Sequence, residues 1–486
     1  MSTAPVAATL DRRTVTAFRA WLISLATSAP AVVMAGGIVA TYAQSGVTSL
    51  PLLFLVIGVV VTLLMVGYSA MLREVSHSAP YYAILARGLS PEMGVAGAAV
   101  ALLAYNTLQI SLAGLFGSVL AGMTGLPWWV GAAVIIGVVA LIGRMPIRAA
   151  IRFIAPVLIG SLMLLGLFVL VGISDPAGGQ FTGKAFSPQG LLVSGGGLAV
   201  ALTFAAFAGI DGGGSLIEEE ATEGKPGAVV GRGMLAAAAT ATVVYTAVAW
   251  AMQLPSGPDG IAAAAANDAN LPFTILADHL GPVAGVVVVV ALAVFLAAIG
   301  TSSISLHSVI TRYTMAIARE HVLPASLAES DGGTTAKAPK GASRLQTAIA
   351  VLVLAGFAIF GASGETMFVW LSTLGAMGLL VLLIIANVAA PIYFARNRTS
   401  VGAGASTAAP TLGVLLGTMI LGAMLWQLSS LLPPSVVPPA IVPVLIVAAA
   451  VAGYVWARLL RSRQPGVYQG ISHGVPLSGF DVPSAI

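Results

Sequence analysis

From Ser49 to Leu72 the chain carries no charged side chain, and apolar runs of that kind recur along its whole length. As a helix, about 20 apolar residues cross the roughly 30 Å hydrocarbon core of a bilayer. In that core every backbone N–H and C=O needs a partner within the protein, which leaves only helices and closed barrels. Runs this long and unbroken give helices. Twelve are expected, near residues 19–42, 49–72, 93–122, 127–142, 150–173, 191–217, 231–253, 283–316, 345–361, 365–394, 410–432 and 436–460. The fold class expected is therefore an all-α polytopic membrane protein with 12 transmembrane helices. Composition agrees, with 58% hydrophobic and 8% charged residues, where a soluble domain carries about 25% charged.

Charge placement sets the expected orientation. The first 18 residues are polar and carry Arg12 and Arg13. The run after Arg19 is longer than the roughly 7–15-residue core of a signal peptide, so it reads as a retained span. Polar joints follow at 73–92, 174–188, 218–231, 255–278, 320–344 and 396–409. With twelve spans, both termini and 20 of the 21 basic residues fall on one side, and only Lys184 falls opposite. The positive-inside rule makes that side the cytoplasm, in the cytoplasmic membrane. The net charge of +4 is thus a topology signal, and no nucleic-acid partner is expected. The absence of cysteine excludes disulfides, thiolate metal sites and cysteine nucleophiles. No metal site or cofactor is expected.

Two spans are interrupted. The first contains Ala26-Thr27-Ser28-Ala29-Pro30 and then Gly36-Gly37; the sixth contains Ala208-Gly209-Ile210-Asp211-Gly212-Gly213-Gly214. Each glycine disfavours helix by about 1 kcal/mol relative to alanine, and Asp211 adds roughly 2.5–3.5 kcal/mol at mid-bilayer. Interruptions five spans apart point to inverted repeats with a central site. Pro30 suits a first helical turn, so the N–H groups of Ala31, Val32 and Val33 are expected to face a cavity and favour a carboxylate. Carbonyls near Phe207 and Ala208 would then suit an ammonium group, and the pair describes an amino acid. On this reading Gly209 and Gly212–Gly214 expose backbone for binding, whereas Gly36-Gly37 serve close helix packing. Glu218, Glu219, Glu220 and Glu223, with Lys225 and Arg232, read as a solvated joint or an inner gate of ion pairs.

The stretch "FAAFAGIDGGGSLIEEEATEGKPGAVVGRG" resembles the sixth-span motif of the amino acid–polyamine–organocation (APC) superfamily, F-x-G-F-E followed by E-E and a proline-containing loop. "GYSAMLREVSHSAPYYAILARGLS", "AYNTLQISLAGLFG" and "HSVITRYTMAIAREHVLPASLA" are similar to bacterial amino acid permeases of that group, in the same order. The resemblance implies a five-plus-five inverted-repeat fold with broken helices 1 and 6. It places substrate at Thr27, Ser28, Ala29 and Pro30 and at Phe207, Ala208, Gly209 and Asp211, with Asp211 in the motif's glutamate position; the helix-start reading adds Ala31 and Val32. An aromatic gate is implied at Phe207, with Phe204 a further gating candidate, and the charged joint makes Glu218 the candidate inner gate. Some proton-coupled relatives carry a lysine in the fifth span; here "APVLIGSLMLLGLF" offers only Ser161. Coupling therefore uses another titrating group such as Asp211, a sodium ion, or nothing.

Lesser candidates follow from helical spacing. Tyr105 and Gln109 share a face, with Asn106 beside them, and suit either cavity lining or interhelical hydrogen bonding. Ser302 and Ser303 offer hydroxyl oxygen to a cation or pack as small residues, and His307 reads as a buried histidine with one hydrogen bond. The organisation expected is a cytoplasmic segment 1–18, a core 19–394 with repeats near 19–173 and 191–394, two further spans in 410–460 and a cytoplasmic tail 461–486. The function expected is a secondary active permease for amino acids or related amines, proton-coupled, and not an enzyme. Two alternatives are a potassium-type ion permease on the same fold and a membrane-embedded serine hydrolase. The latter rests on "GASGE" at 361–365, whose Ser363 is expected on the face opposite His473.

Overall fold

Local sequence starts and stops the helices as backbone chemistry requires. Ser90 accepts the Met93 N–H at 3.3 Å and Ser363 the Thr366 N–H at 3.0 Å, which caps Pro91–Thr124 and Gly364–Arg396. Gly46 and Gly125 end their helices in the left-handed region, at φ 66° and 73°. A computed structural model describes residues 15–220, 227–330, 338–397, 399–432 and 437–473. Among these the chain is helical, with two isolated bridges, Val15–Glu220 and Ser330–Pro339.

Among the described residues eleven segments are long and apolar enough to cross a membrane. They are Ala17–Ser45, Leu50–Leu72, Pro91–Thr124, Ile147–Ser174, Gly196–Glu219, Ala228–Gln253, Gly281–Arg319, Lys340–Ile359, Gly364–Arg396, Gly404–Trp426 and Ile441–Arg463. The run expected at 127–142 forms the helix Trp128–Ile142, only 15 residues long. At about 1.5 Å per residue it falls short of the hydrocarbon thickness. Leu170, Val286, Leu352, Met419 and Val447 remain exposed on the outside of the bundle. Apolar surface on that scale belongs against lipid.

A few extended packings position the centre of the bundle. Gly364–Arg396 packs along Pro91–Thr124, and Ala228–Gln253 packs along Leu50–Leu72. The first half of the first segment, Ala17–Thr27, lies against Ala228–Gln253 and against residues 210–219. Gly281–Arg319 crosses Pro91–Thr124 and reaches the same centre.

Two faces cap the bundle. On one, Lys184 pairs with Asp259 and His279 with Asp175, each at 3.0 Å. The other carries Arg312, Arg319 and the short helices Pro80–Gly88 and Pro465–Gly470. Both ends of the described chain meet this second, basic face. The Val15 N–H donates to the Glu219 carbonyl at 2.8 Å, and the Ser472 N–H to Glu320 at 2.9 Å.

Candidate functional site

The first segment breaks where its sequence loses helical character. Ala17–Thr27 ends at Ser28, Ala29 turns into the left-handed region at φ 52°, and Pro30 opens a new helical turn. A positive φ is uncommon for a residue with a Cβ. Proline has no N–H to leave unsatisfied at that first turn. The chain then runs through a π-helical stretch, Val33–Ile38, before regular helix resumes at Val39–Ser45.

The second break mirrors the first in kind. Gly196–Ala205 stops, Phe207 and Ala208 form a turn, and Gly209 takes φ 90°, which only glycine adopts without strain. A 3₁₀ helix, Ile210–Glu219, carries the chain on to the basic face. The two breaks touch: the Thr27 hydroxyl donates to the Gly209 carbonyl at 2.6 Å. Ser28 lies 3.1 Å from the Tyr245 hydroxyl, which ties the first break to Ala228–Gln253.

Three expectations about the exposed backbone change. The N–H groups of Val32 and Val33 do not face a cavity, because both donate to the Ala29 carbonyl, at 2.9 and 3.1 Å. The Ala31 N–H alone is left without a backbone partner among the described residues. Across from it, the Phe207 carbonyl accepts from Ile210 while that of Ala208 accepts no backbone N–H among the described residues.

The glycines exchange roles. Gly212, Gly213 and Gly214 are buried and tightly packed rather than exposed. A Cβ at Gly213 would meet the Ser24 hydroxyl and lie 3.1 Å from Met234, and one at Gly214 would lie 2.6 Å from the Tyr68 hydroxyl. They let the 3₁₀ helix press against Ala17–Thr27 and its neighbours. Gly36, read from sequence as a packing glycine, has nothing within 4 Å of such a Cβ.

Asp211 lies just beyond the second break, 1% exposed. One of its carboxylate oxygens accepts from the hydroxyls of Tyr81 and Tyr105, each at 2.5 Å. Tyr81 comes from Pro80–Gly88 and Tyr105 from Pro91–Thr124, so one carboxylate joins three separate elements. Among the described residues no basic side chain pairs with it. The rings of Tyr68 and Tyr313 complete the surround, 5.1 Å from Tyr81 and 6.2 Å from Tyr105.

Aromatic rings cover the opposite side of the breaks. Phe204 and Phe207 are 1% and 2% exposed, and Phe207 sits against Tyr245 and Phe54, with centroids 5.3 and 6.3 Å away. One buried and one partly buried ion pair close the basic side. Arg312 reaches Glu219 and Arg319 reaches Glu218, each at 2.5 Å. Glu219 and Glu220 are therefore not on a solvated face; Glu220 accepts the Gly227 and Val229 N–H groups at 2.6 and 2.8 Å. Glu223 and Lys225 lie outside the described residues, and Arg232 turns back to the Ala228 carbonyl.

The remaining candidates scatter. Gln109 accepts from Gln346 at 2.5 Å, an interhelical bond rather than a bond to the breaks. Asn106 donates to its own helix at Leu102, and Ser161 to Val157. His307 meets Ser343 at 2.9 Å. Ser302 is buried, and the Ser303 hydroxyl is buried with no partner among the described residues. Ser363 caps its helix through Thr366, with no histidine bonded to it among the described residues. Sequence reasoning missed Tyr81, Tyr245, Arg312 and Arg319. The tyrosine pair in "SAPYYAILARG" and the arginines in "HSVITRYTMAIAREH" were the available signals.

The geometry is thus two broken membrane segments joined by the Thr27 hydroxyl on the Gly209 carbonyl, under an aromatic cover on one side and ion pairs on the other. No curated protein matches the chain in a sequence search. Residues 20–456 match the family model described as Amino acid permease, across nearly the whole of the helical bundle, and the chain belongs to that family.

Proposed function

We propose that the protein is a secondary active transporter that carries an amino acid or related amine across the cytoplasmic membrane by alternating access. The observation that carries this reading is the meeting of the breaks through Thr27 and Gly209. Broken helices at membrane depth are tolerated where their backbone is buried in protein or lines a cavity. The substrate carboxylate is assigned to the Ala31 N–H at the start of the Pro30 turn, and its ammonium to the Ala208 carbonyl. Substrate recognition then extends over Thr27, Ser28, Ala29, Pro30, Val32, Phe207 and Gly209. Trp128–Ile142 is taken as a twelfth crossing segment, its shortness met by local thinning of the bilayer, and residues 19–173 and 191–394 form the inverted repeats, with both termini in the cytoplasm. Phe204 and Phe207 gate the outer side, and Glu218 and Glu219 the inner side.

Asp211 is proposed as the coupling group. A carboxyl whose side-chain partners among the described residues are Tyr81 and Tyr105 can take a proton, loosening two helices at once. Proteoliposomes tested against labelled amino acids and amines should accumulate one of them under an imposed proton gradient, and Asp211→Asn should retain counterflow while losing accumulation. Equal accumulation by the variant rejects the coupling role, and absence of saturable counterflow rejects the transporter. The Ser303 hydroxyl, buried with no partner among the described residues, supports sodium coupling as a second reading. A sodium gradient driving uptake at symmetric pH would select it.

A further inference from the structure

Residues 464–473 turn back onto the protein after Arg463. Pro465–Gly470 forms a short helix, and residues 471–473 return to the basic face. Tyr468 donates to Glu92 at 2.8 Å, and Arg461 lies 5.7 Å over the Tyr468 ring. Ile471 and Ser472 are 2% and 5% exposed, so this segment is packed into the basic face.

Its far end is anchored by the backbone of one residue, Ser472. The Ser472 N–H donates to Glu320 at 2.9 Å and lies 3.3 Å from the Tyr82 hydroxyl, while its carbonyl accepts from Arg87 at 3.1 Å. Glu320 caps Gly281–Arg319, the helix that supplies Arg312 and Arg319 to the inner ion pairs. Tyr82 and Arg87 belong to Pro80–Gly88, the helix that supplies Tyr81 to Asp211. The Ser78 N–H just before that helix donates to Glu218 at 3.0 Å. His77 meets Glu320 at 3.1 Å. The backbone of one tail residue, Ser472, is therefore bonded to both elements that, on the alternating-access reading, part when the basic side opens.

We infer that residues 465–473 are a built-in latch that holds the basic side of the transporter closed, and that displacing them speeds its opening. The inference rests on the alternating-access reading above. Ser472 provides the handle, because it sits at φ 70°. Ser472→Pro removes the donor and fixes φ near −65°, so it releases the latch. Ser472→Gly keeps the donor and favours the observed φ, so it tightens the latch.

The chain has no native cysteine, so one reporter thiol reads the motion. Ser24→Cys places it on the basic side of the first break, where Ser24 is fully buried and its hydroxyl has no partner among the described residues. Full-length protein in liposomes is treated with a charged methanethiosulfonate reagent, and tail release is followed by trypsin cleavage after Arg463. Ser472→Pro, and separately removal of residues 465–486, should expose the tail or delete it and label the reporter thiol roughly ten-fold faster, the effect of one hydrogen bond to a charged group. Ser472→Gly should label a few-fold more slowly than the parent. Unchanged labelling in the deletion, or faster labelling in Ser472→Gly, overturns the latch. Labelling needs no substrate, so a chain that moves no amino acid yet shows these shifts loses the substrate reading and keeps the latch.

Discussion

Arg312 holds Glu219 at 2.5 Å with both side chains almost removed from solvent. The pair locks the end of the second broken segment to Gly281–Arg319. Removing one partner strands the other charge, a loss of about 3–5 kcal/mol for buried pairs. Arg312→Met should therefore melt well below wild type in detergent, whereas Arg312→Met with Glu219→Leu should recover most of the loss. A double variant as unstable as the single one would show that the pair does not act as a unit.

The contrast between Gly213 and Gly36 gives a second test. Gly213→Ala drives a methyl into the Ser24 hydroxyl and to 3.1 Å from Met234, and overpacking of this kind costs about 1–3 kcal/mol. Gly36→Ala meets nothing within 4 Å, so thermal stability should change by less than about 1 kcal/mol. Adding Ser24→Gly should relieve Gly213→Ala. Equal melting shifts at the two glycines would contradict the packing assigned to them.

Thr27 offers a finer probe of the contact between the breaks. Thr27→Val keeps the shape and deletes the hydroxyl that reaches Gly209. The Gly209 carbonyl still accepts from Gly212 at 2.9 Å, so the loss should stay near about 1 kcal/mol. Thr27→Ser retains the donor and should melt closer to wild type than Thr27→Val does. The reverse order would place the importance of Thr27 in its methyl group.

Much of this was legible in the chain because the signals are local. Lipid enforces apolar length, so seven of the eleven spanning segments agree with the expected runs within three residues at both ends, and the other four begin five or six residues away. The sixth begins later than expected because Gly195 to Gly197 open the helix behind a run of 3₁₀ turns. The two interruptions were visible because Pro30 and Gly209 leave few other backbone options. Partners were not legible, since the arginines that close Glu218 and Glu219 lie about a hundred residues away, at 319 and 312. The glycine roles were inverted for the same reason. Whether a glycine is a packing surface depends on what approaches it, and Ser24, Met234 and Tyr68 approach Gly213 and Gly214 only in the folded chain.

His279 supplies a pH-dependent term on the face that carries Lys184. Its Nε2 lies 3.0 Å from Asp175 and its Nδ1 2.7 Å from the Ile275 carbonyl. Partial burial disfavours the imidazolium, but the Ile275 carbonyl and the Asp175 carboxylate outweigh it and raise the pKa above the ordinary histidine value. A folded-state pKa above the unfolded one contributes stability below the unfolded value, near about 6.5. That contribution fades as pH rises through the folded value. Asp175 is largely exposed, which screens the pair and keeps the effect small. Melting temperatures of wild type and Asp175→Asn should accordingly differ at mildly acidic pH, with wild type higher, and converge at alkaline pH. A difference that instead grew with rising pH would mean that the neutral imidazole is the form this contact favours.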